Sequence, residues 1–338
     1  MIRRSAVWCI VTLTLSILMT LRAADPQPAE KVYRIGILQA GTAANTARFR
    51  EVFSQGLRDL GWVEGQHIAL EYRYAENLDR LPGLAAELVR LPVALLLARG
   101  TPSARAAQHA TTAIPIVFVD VVNPVGRGLV ISLARPGGNI TGMGSEEGQG
   151  LTAKHLELLK DAVPTVSRVA MLLGESPRGR VGLPTREANE QARERAAQVL
   201  GLTLRHFYVQ RPEDFTEWVF PAITADAHAI DALYAGGLFT LESRQQLADF
   251  ALQHRMPLMS GSKEFTEAGG LMTYGASGPA MWQRAAHYVD RILKGTTPAD
   301  LPVEQPMTFE LVINLKTAQA LGLTIPPIVL FQADEVVR

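Results

Sequence analysis

Short apolar runs alternate with amphipathic helical stretches through most of this chain, and that alternation restricts it to folds built on parallel sheets. Val32 to Leu38 reads as a strand. Phe49, Phe53, Leu57 and Leu60 then line one face of a helix that Gly61 is placed to end. His67 to Tyr74 alternates as a second strand, and Asp79 is expected to cap a helix carrying Leu81, Leu84, Leu88 and Leu91. Val93 to Ala98 is apolar at every position, the mark of a strand buried on both faces. A helix from Pro102 to about His109, a strand from Ile114 to Val119, a helix through Leu129 and Leu133, and a short strand from Ile140 to Met143 complete a first series.

The pattern then restarts. A helix around His155 to Leu159 leads into the strand Arg168 to Leu173, and a long helix from about Pro184 ends at Gly201. Strands at Thr203–Val209 and Ala229–Ala235 flank a helix near Asp214–Ala225, and a helix from Leu241 to His254 leads to Leu258. Pro136-Gly137-Gly138 and the polar stretch Gly144 to Gly150 interrupt the series near its middle. An α/β chain of two doubly wound, Rossmann-like lobes fits this better than one large sheet. After the strand around Gly269–Gly275 and a helix from about Pro279 to Lys294, prolines 298, 302 and 306 punctuate an extended tail. That tail reads as chain crossing back between lobes rather than finishing a sheet.

The first two dozen residues set an expectation about compartment. Arg3 and Arg4, the apolar run Ser5 to Leu21, and Arg22-Ala23-Ala24 have the layout of a signal peptide, taken as residues 1–24. Cys9, the one cysteine in the chain, lies within that run, so the exported form would carry no disulfide and no thiol nucleophile. Without Arg3, Arg4 and Arg22 the charges are 30 basic against 33 acidic, and no block of like charge occurs. That balance argues against nucleic acid or an anionic membrane surface as the partner. A periplasmic monomer is expected.

In open α/β sheets, ligands bind beyond the carboxyl ends of the strands. The rule nominates Gln39, Gly41 and Thr42 after the first strand, then Arg99, Gly100 and Thr101, then Asp120 and Asn123, then Thr141 and Gly142. In the second series it nominates Glu175 and Ser176, Gly236 and Gly237, and Gly261 and Ser262. Thr101 either caps its helix or helps hold an anion there. Arg99, ending an apolar strand, either meets a ligand carboxylate or makes a structural ion pair. Asp120 either binds an amine or hydroxyl or caps a turn. Enzyme motifs are mostly absent: no HExxH, no G-x-S-x-G and no P-loop, and Gly142-Met143-Gly144 is a fragment of a dinucleotide fingerprint in the wrong place. No metal and no cofactor are expected. A cleft without catalytic machinery suggests binding.

Specific strings carry a resemblance. They include Gly56-Leu-Arg-Asp-Leu-Gly-Trp-Val-Glu-Gly65, Ser132-Leu-Ala-Arg-Pro-Gly-Gly-Asn-Ile-Thr-Gly142 and Ala268-Gly-Gly-Leu-Met-Thr-Tyr-Gly275. Tyr288-Val-Asp-Arg-Ile-Leu-Lys-Gly295 and Phe309-Glu-Leu-Val-Ile-Asn-Leu-Lys-Thr-Ala318 extend the match almost to the end. Together they resemble the ABC-transporter substrate-binding family that includes tryptophan- and tyrosine-type binding proteins. The resemblance implies the type I periplasmic-binding-protein architecture, with three crossing hinge strands. Lobe 1 would take residues 32–142 and about 277–298, and lobe 2 residues 143–276 and about 299–338. It also implies capture of a small organic ligand, an amino acid or related carboxylate, by hinge closure, and an ABC permease in the inner membrane as partner. Two other readings stand beside it: a sensor module feeding a receptor, and an exported Rossmann-like enzyme. Departures from the family pattern fall in the loops at Gly174-Glu175-Ser176-Pro177 and Gly236-Gly237-Leu238-Phe239, and at Arg99.

Overall fold

The structure, a computed structural model, describes residues 32–43, 46–145, 149–174, 186–225, 230–237, 240–241 and 243–338. The first series comprises β1 (Tyr33–Ala40), α1 (Ala47–Asp59), β2 (Ile68–Ala75), α2 (Leu81–Arg90), β3 (Val93–Arg99), α3 (Gly100–Ala110), β4 (Ile116–Val122) and β5 (Ile140–Ser145). Its five strands form one parallel sheet in the order β2-β1-β3-β4-β5. The all-apolar β3 is the central strand. Leu95 and Leu97 enter the core under α1, while Leu96 and Ala98 enter the core under α2 and α3. Period-two alternation thus feeds two cores from one run, which is why every position must be apolar.

The second series comprises α4 (Gln149–Ala162), β6 (Arg168–Gly174), α5 (Arg186–Val199), β7 (Thr203–Val209), α6 (Phe220–Thr224), β8 (Ala232–Gly236), α7 (Arg244–Gln253), β9 (Leu258–Ser260), α8 (Glu264–Glu267) and β10 (Met272–Ala276). β6 divides its side chains in the same way, with Val169, Met171 and Leu173 in one core and Ala170 and Leu172 in the other. The chain then leaves this sheet. Helix α9 (Gly278–Leu293) starts with Pro279 in its first turn and the Ser277 hydroxyl accepting from the Ala280 N–H. It packs on the first lobe: Trp282 is 1% exposed, stacked on Phe49 at 5.9 Å and edge-on to Phe53 at 5.6 Å.

The chain returns through residues 303–308 to β11 (Phe309–Asn314), α10 (Leu315–Ala320), α11 (Pro327–Gln332) and β12 (Glu335–Val337). The second sheet has seven strands in the order β12-β11-β10-β9-β8-β6-β7, with β11 antiparallel to β10. The tail therefore finishes a sheet, contrary to expectation. β11 inherits its direction from a chain arriving back from the other lobe. The expected helix through Leu129 and Leu133 is also absent: residues 124–128 form turns, with Asn123 Oδ1 accepting from the Gly126 N–H at 2.9 Å. Asp79 does not cap its helix. Asn77 accepts from the Asp79 N–H instead, and a 3-10 turn at Leu78–Arg80 intervenes.

Three segments run between the lobes, and backbone bonds lace them together. Gly144 N–H donates to the Glu304 carbonyl at 2.8 Å, Glu304 N–H to the Gly142 carbonyl at 3.1 Å, and Ser277 N–H to the Thr308 carbonyl at 2.9 Å. Arg284 of α9 forks onto Glu304 at 2.8 and 2.6 Å, tying the return segment to the first lobe. Gly142 explains itself here. Its φ is +147°, and a Cβ would lie 2.0 Å from the Phe118 carbonyl oxygen. Gly142→Ala is expected to lower stability by about 2–4 kcal/mol in urea unfolding. Gly138→Ala, where a Cβ meets nothing within 4 Å, should change it by less than about 0.5 kcal/mol.

Candidate ligand-binding cleft

The winding order places a switch point in each sheet. From β1 the chain steps to β2 on one side and then to β3 on the other, so the carboxyl ends of the neighbours β1 and β3 diverge there. Gln39 and Arg99 occupy those two ends and are register partners, with Tyr74 of β2 on the other side of Gln39. Alternation puts Gln39 on the face of Ile35 and Ile37, and Arg99 on the face of Leu95 and Leu97, both covered by α1. Gln39 is 0% exposed, and both its amide oxygen and its amide nitrogen are without a hydrogen-bond partner. An unpaired buried amide costs about 1–3 kcal/mol, so this is a marked feature of the edge.

Arg99 is held on several sides. Its guanidinium lies 4.6 Å from the Phe49 ring centroid, 4.0 Å from the Asp120 carboxylate and 3.4 Å from Glu264 Oε1. Asp120 stands at a register shift between β4 and β5 and has φ +62°, a left-handed conformation that aspartate tolerates better than most residues. Gly100, with φ +77°, lets α3 begin directly after the strand. The cap position of α3 is Arg99, without a side-chain cap bond, and Thr101 sits within the first turn.

Glu264 belongs to α8 of the second lobe, so its pair with Arg99 spans the cleft. A second pair, Arg48 to Glu267 at 3.3 Å, spans it alongside. Beside them, a cavity of about 430 Å³ opens between the lobes, lined by Arg48, Lys263, Pro279, Thr308, Glu310 and Glu335. Lys263 is paired with Glu335. Charges of both signs therefore line the mouth.

The second sheet has its switch point between β6 and β8. A Cβ on Gly237, at φ +96°, would lie 3.0 Å from the Gly174 nitrogen, so the two loops approach backbone to backbone. Glu175 and Ser176 lie outside the described residues. Gly236 packs under the Tyr234 ring, and Gly261 packs against the His155 ring. Ser262 directs its N–H at the Ser260 hydroxyl, 3.4 Å away. His155 is 2% exposed and lies 2.6 Å from the Tyr274 carbonyl through Nε2 and 3.1 Å from the Tyr234 hydroxyl through Nδ1. With Nε2 donating to the carbonyl, Nδ1 accepts from Tyr234. Burial holds this imidazole neutral and pushes its pKa down to about 4, against the raising effect of the Tyr274 carbonyl.

The remaining nominated residues have local duties. Gly41, at φ +100°, bonds its N–H to the Ala75 carbonyl, and the Thr42 carbonyl accepts from Thr46 Oγ1. Asn123 shapes its turn, and buried Thr141 donates to the Leu301 carbonyl at 2.6 Å. Thus Gln39, Arg99, Gly100 and Asp120 come together at one edge, whereas Thr141 and Gly142 serve the crossing. Glu264 and Glu267, which reach across the cleft, escaped the sequence reading. Their helix has four residues and no apolar period to mark it. Among the described residues, no group of three or more His, Asp or Glu side chains is disposed to hold a metal, and no helix is long and apolar enough to cross a membrane.

Residues 35–337 match the family model for ABC transporter substrate binding proteins. The chain belongs to that family. The tyrosine-binding protein of Clostridioides difficile (strain R20291) is 26% identical over 297 residues, covering 87% of this chain and 82% of the relative. A conserved domain protein from Vibrio cholerae superposes with a TM-score of 0.78 at 28% identity, over 90% of this chain and all of that one. A Streptococcus pneumoniae ABC domain in complex with L-Trp gives 0.78 at 24% identity, over 91% and 100%. The architecture is the type I periplasmic-binding-protein fold, two sheet lobes facing across a cleft.

Two predictions follow from this geometry in the substrate-binding protein. His155 has a folded pKa of about 4 against 6.5 for the free side chain, so the unfolded chain takes up a proton first. Stability should be complete above the free value and fall by about 3 kcal/mol as pH drops through that window. Thermal unfolding across the window checks this, and His155→Gln should flatten the dependence. Secondly, Glu264→Gln with Glu267→Gln should remove the two ion pairs that span the cleft and let the lobes stand further apart. Small-angle scattering should then give a larger radius of gyration, and high salt should mimic the change in the unmodified protein.

Proposed function

We propose that this protein is the exported solute-binding component of an ABC importer, which captures a small organic ligand between its lobes and presents it to an inner-membrane permease. Its lobe limits would be 32–142 with about 277–298, and 143–276 with about 299–338. The ligand is an α-amino acid or a close relative. One observation carries this reading: Arg99, at the switch point of the first sheet, stands between Asp120 of its own lobe and Glu264 of the other. A cation flanked by two carboxylates complements a zwitterion, whose carboxylate takes the guanidinium while its ammonium takes a freed carboxylate. Relatives named for tyrosine and L-Trp agree with that class. The N-terminal apolar run supports export, since it has the order of charge, apolar stretch and small residues that a signal peptide requires.

Hinge closure follows from the same groups. A ligand shifts the balance between open and closed forms only as far as it binds the closed form better. Contacts from both lobes to one zwitterion provide that difference. A panel of amino acids, carboxylates and sugars in a thermal-shift assay tests the reading. An amino acid at a hundredfold excess over its dissociation constant should stabilise the protein by about 2.7 kcal/mol, and sugars should do nothing. Stabilisation by sugars alone would sink the amino-acid assignment. Arg99→Ala should weaken binding by about 1.5–3 kcal/mol in calorimetry.

A further inference from the structure

We infer that Gln39 is the specificity-determining residue of the cleft, and that it selects amino acids whose side chain ends in a neutral group that both donates and accepts a hydrogen bond, a hydroxyl or a carboxamide. This rests on the amino-acid reading above and deepens it.

Gln39, the penultimate residue of β1, stands at the switch point, directly between Tyr74 and Arg99 in register. Its side chain is fully buried, and both the donor and the acceptor of its amide are idle among the described residues. The neighbouring charges already have partners: Arg99 has Glu264, Asp120 and the Phe49 ring, and Arg48 has Glu267. A buried amide with nothing to bond is tolerated when something else completes it, and the carboxyl edge of a switch point is where a bound molecule arrives. The amide has one edge with a carbonyl and an N–H₂ side by side, so its complement must offer a donor and an acceptor together. Carboxylate or ammonium alone would leave half of the amide unpaired, and an apolar terminus would leave both halves unpaired. The apolar surroundings sharpen the choice. Gln39 shares its face with Ile35, Ile37 and Phe49, and among the described residues no side chain bonds its amide. Sites that bury a hydrogen-bonding group against the substrate reject analogues lacking the partner far more strongly than apolar pockets reject an extra methylene.

The test pairs L-tyrosine with L-phenylalanine, and L-glutamine with L-methionine, in titration calorimetry on the full protein and on Gln39→Leu. In the unmodified protein at least one polar member should bind at least about tenfold more tightly than its apolar counterpart. Gln39→Leu should reduce that preference to within about twofold and, by removing an unpaired amide, should leave the unfolding temperature unchanged or higher. Gln39→Met supplies the control should leucine perturb folding, because it keeps the length of the side chain but offers neither the N–H₂ donor nor the carbonyl acceptor, and the preference should be lost with them. A preference that survives in Gln39→Leu or Gln39→Met overturns the inference while leaving the amino-acid reading intact, as does equal binding of polar and apolar members. Failure of all four amino acids to bind the unmodified protein overturns the inference, and failure of the whole amino-acid panel overturns both.

Discussion

The docking of Trp282 onto the first lobe is the contact on which the rest of the molecule depends. The indole lies between Phe49 and Phe53 at the base of α1, 1% exposed. Burying an aromatic side chain of that size contributes several kcal/mol, more than any exposed ion pair here supplies. Yet the helix that carries it follows the fifth strand of the second series. To place Trp282 the chain must leave the second sheet, cross to the first lobe, and cross again to finish. Three linking segments result. Backbone bonds from Gly144 and Ser277 to the return strand, and the Arg284 fork on Glu304, join those segments into one strap. That strap joins the two lobes, with the cleft between them.

Each lobe brings its functional edge to that cleft for the same topological reason. Winding that reverses direction after the first strand leaves a crevice at the carboxyl ends of the two central neighbours. In the first lobe the crevice holds a buried amide and a guanidinium. In the second it is closed by glycine backbones, Gly174 against Gly237, with His155 fixed neutral beneath Gly261. The division is chemical as well as spatial. The first lobe presents side-chain polarity, whereas the second presents backbone and the two acidic residues that reach over from α8.

Much of the fold was legible in the residues, and the failures have physical causes. Strands such as Val93–Ala98 and Arg168–Leu173 announced themselves because central parallel strands need apolar side chains on both faces. The helix expected through Leu129 and Leu133 did not form because Asn123 and Pro124 start a series of turns, and the backbone of Ile131 is tied to Pro136. β11 was read as crossing chain because its partner β10 lies across a long helix, and no local pattern encodes an antiparallel pairing at that distance. Within the cleft, Gln39, Arg99 and Asp120 were reachable from the rule about strand ends. Glu264 and Glu267 were not, since a single helical turn has no periodicity.

The sequence by itself determined the class of fold, the ends of most strands and the family, because each of these is written in local apolar periodicity and in contiguous strings. Only the tertiary structure decided which strand ends are neighbours, that Arg99 is shared between Asp120 and Glu264, and that the Gln39 amide is buried without a partner. Those facts depend on winding order and on the approach of two lobes, and the residues involved are separated by as much as 225 positions along the chain, from Gln39 to Glu264. Local chemistry sets what each side chain can do; its partners are chosen by the path of the chain.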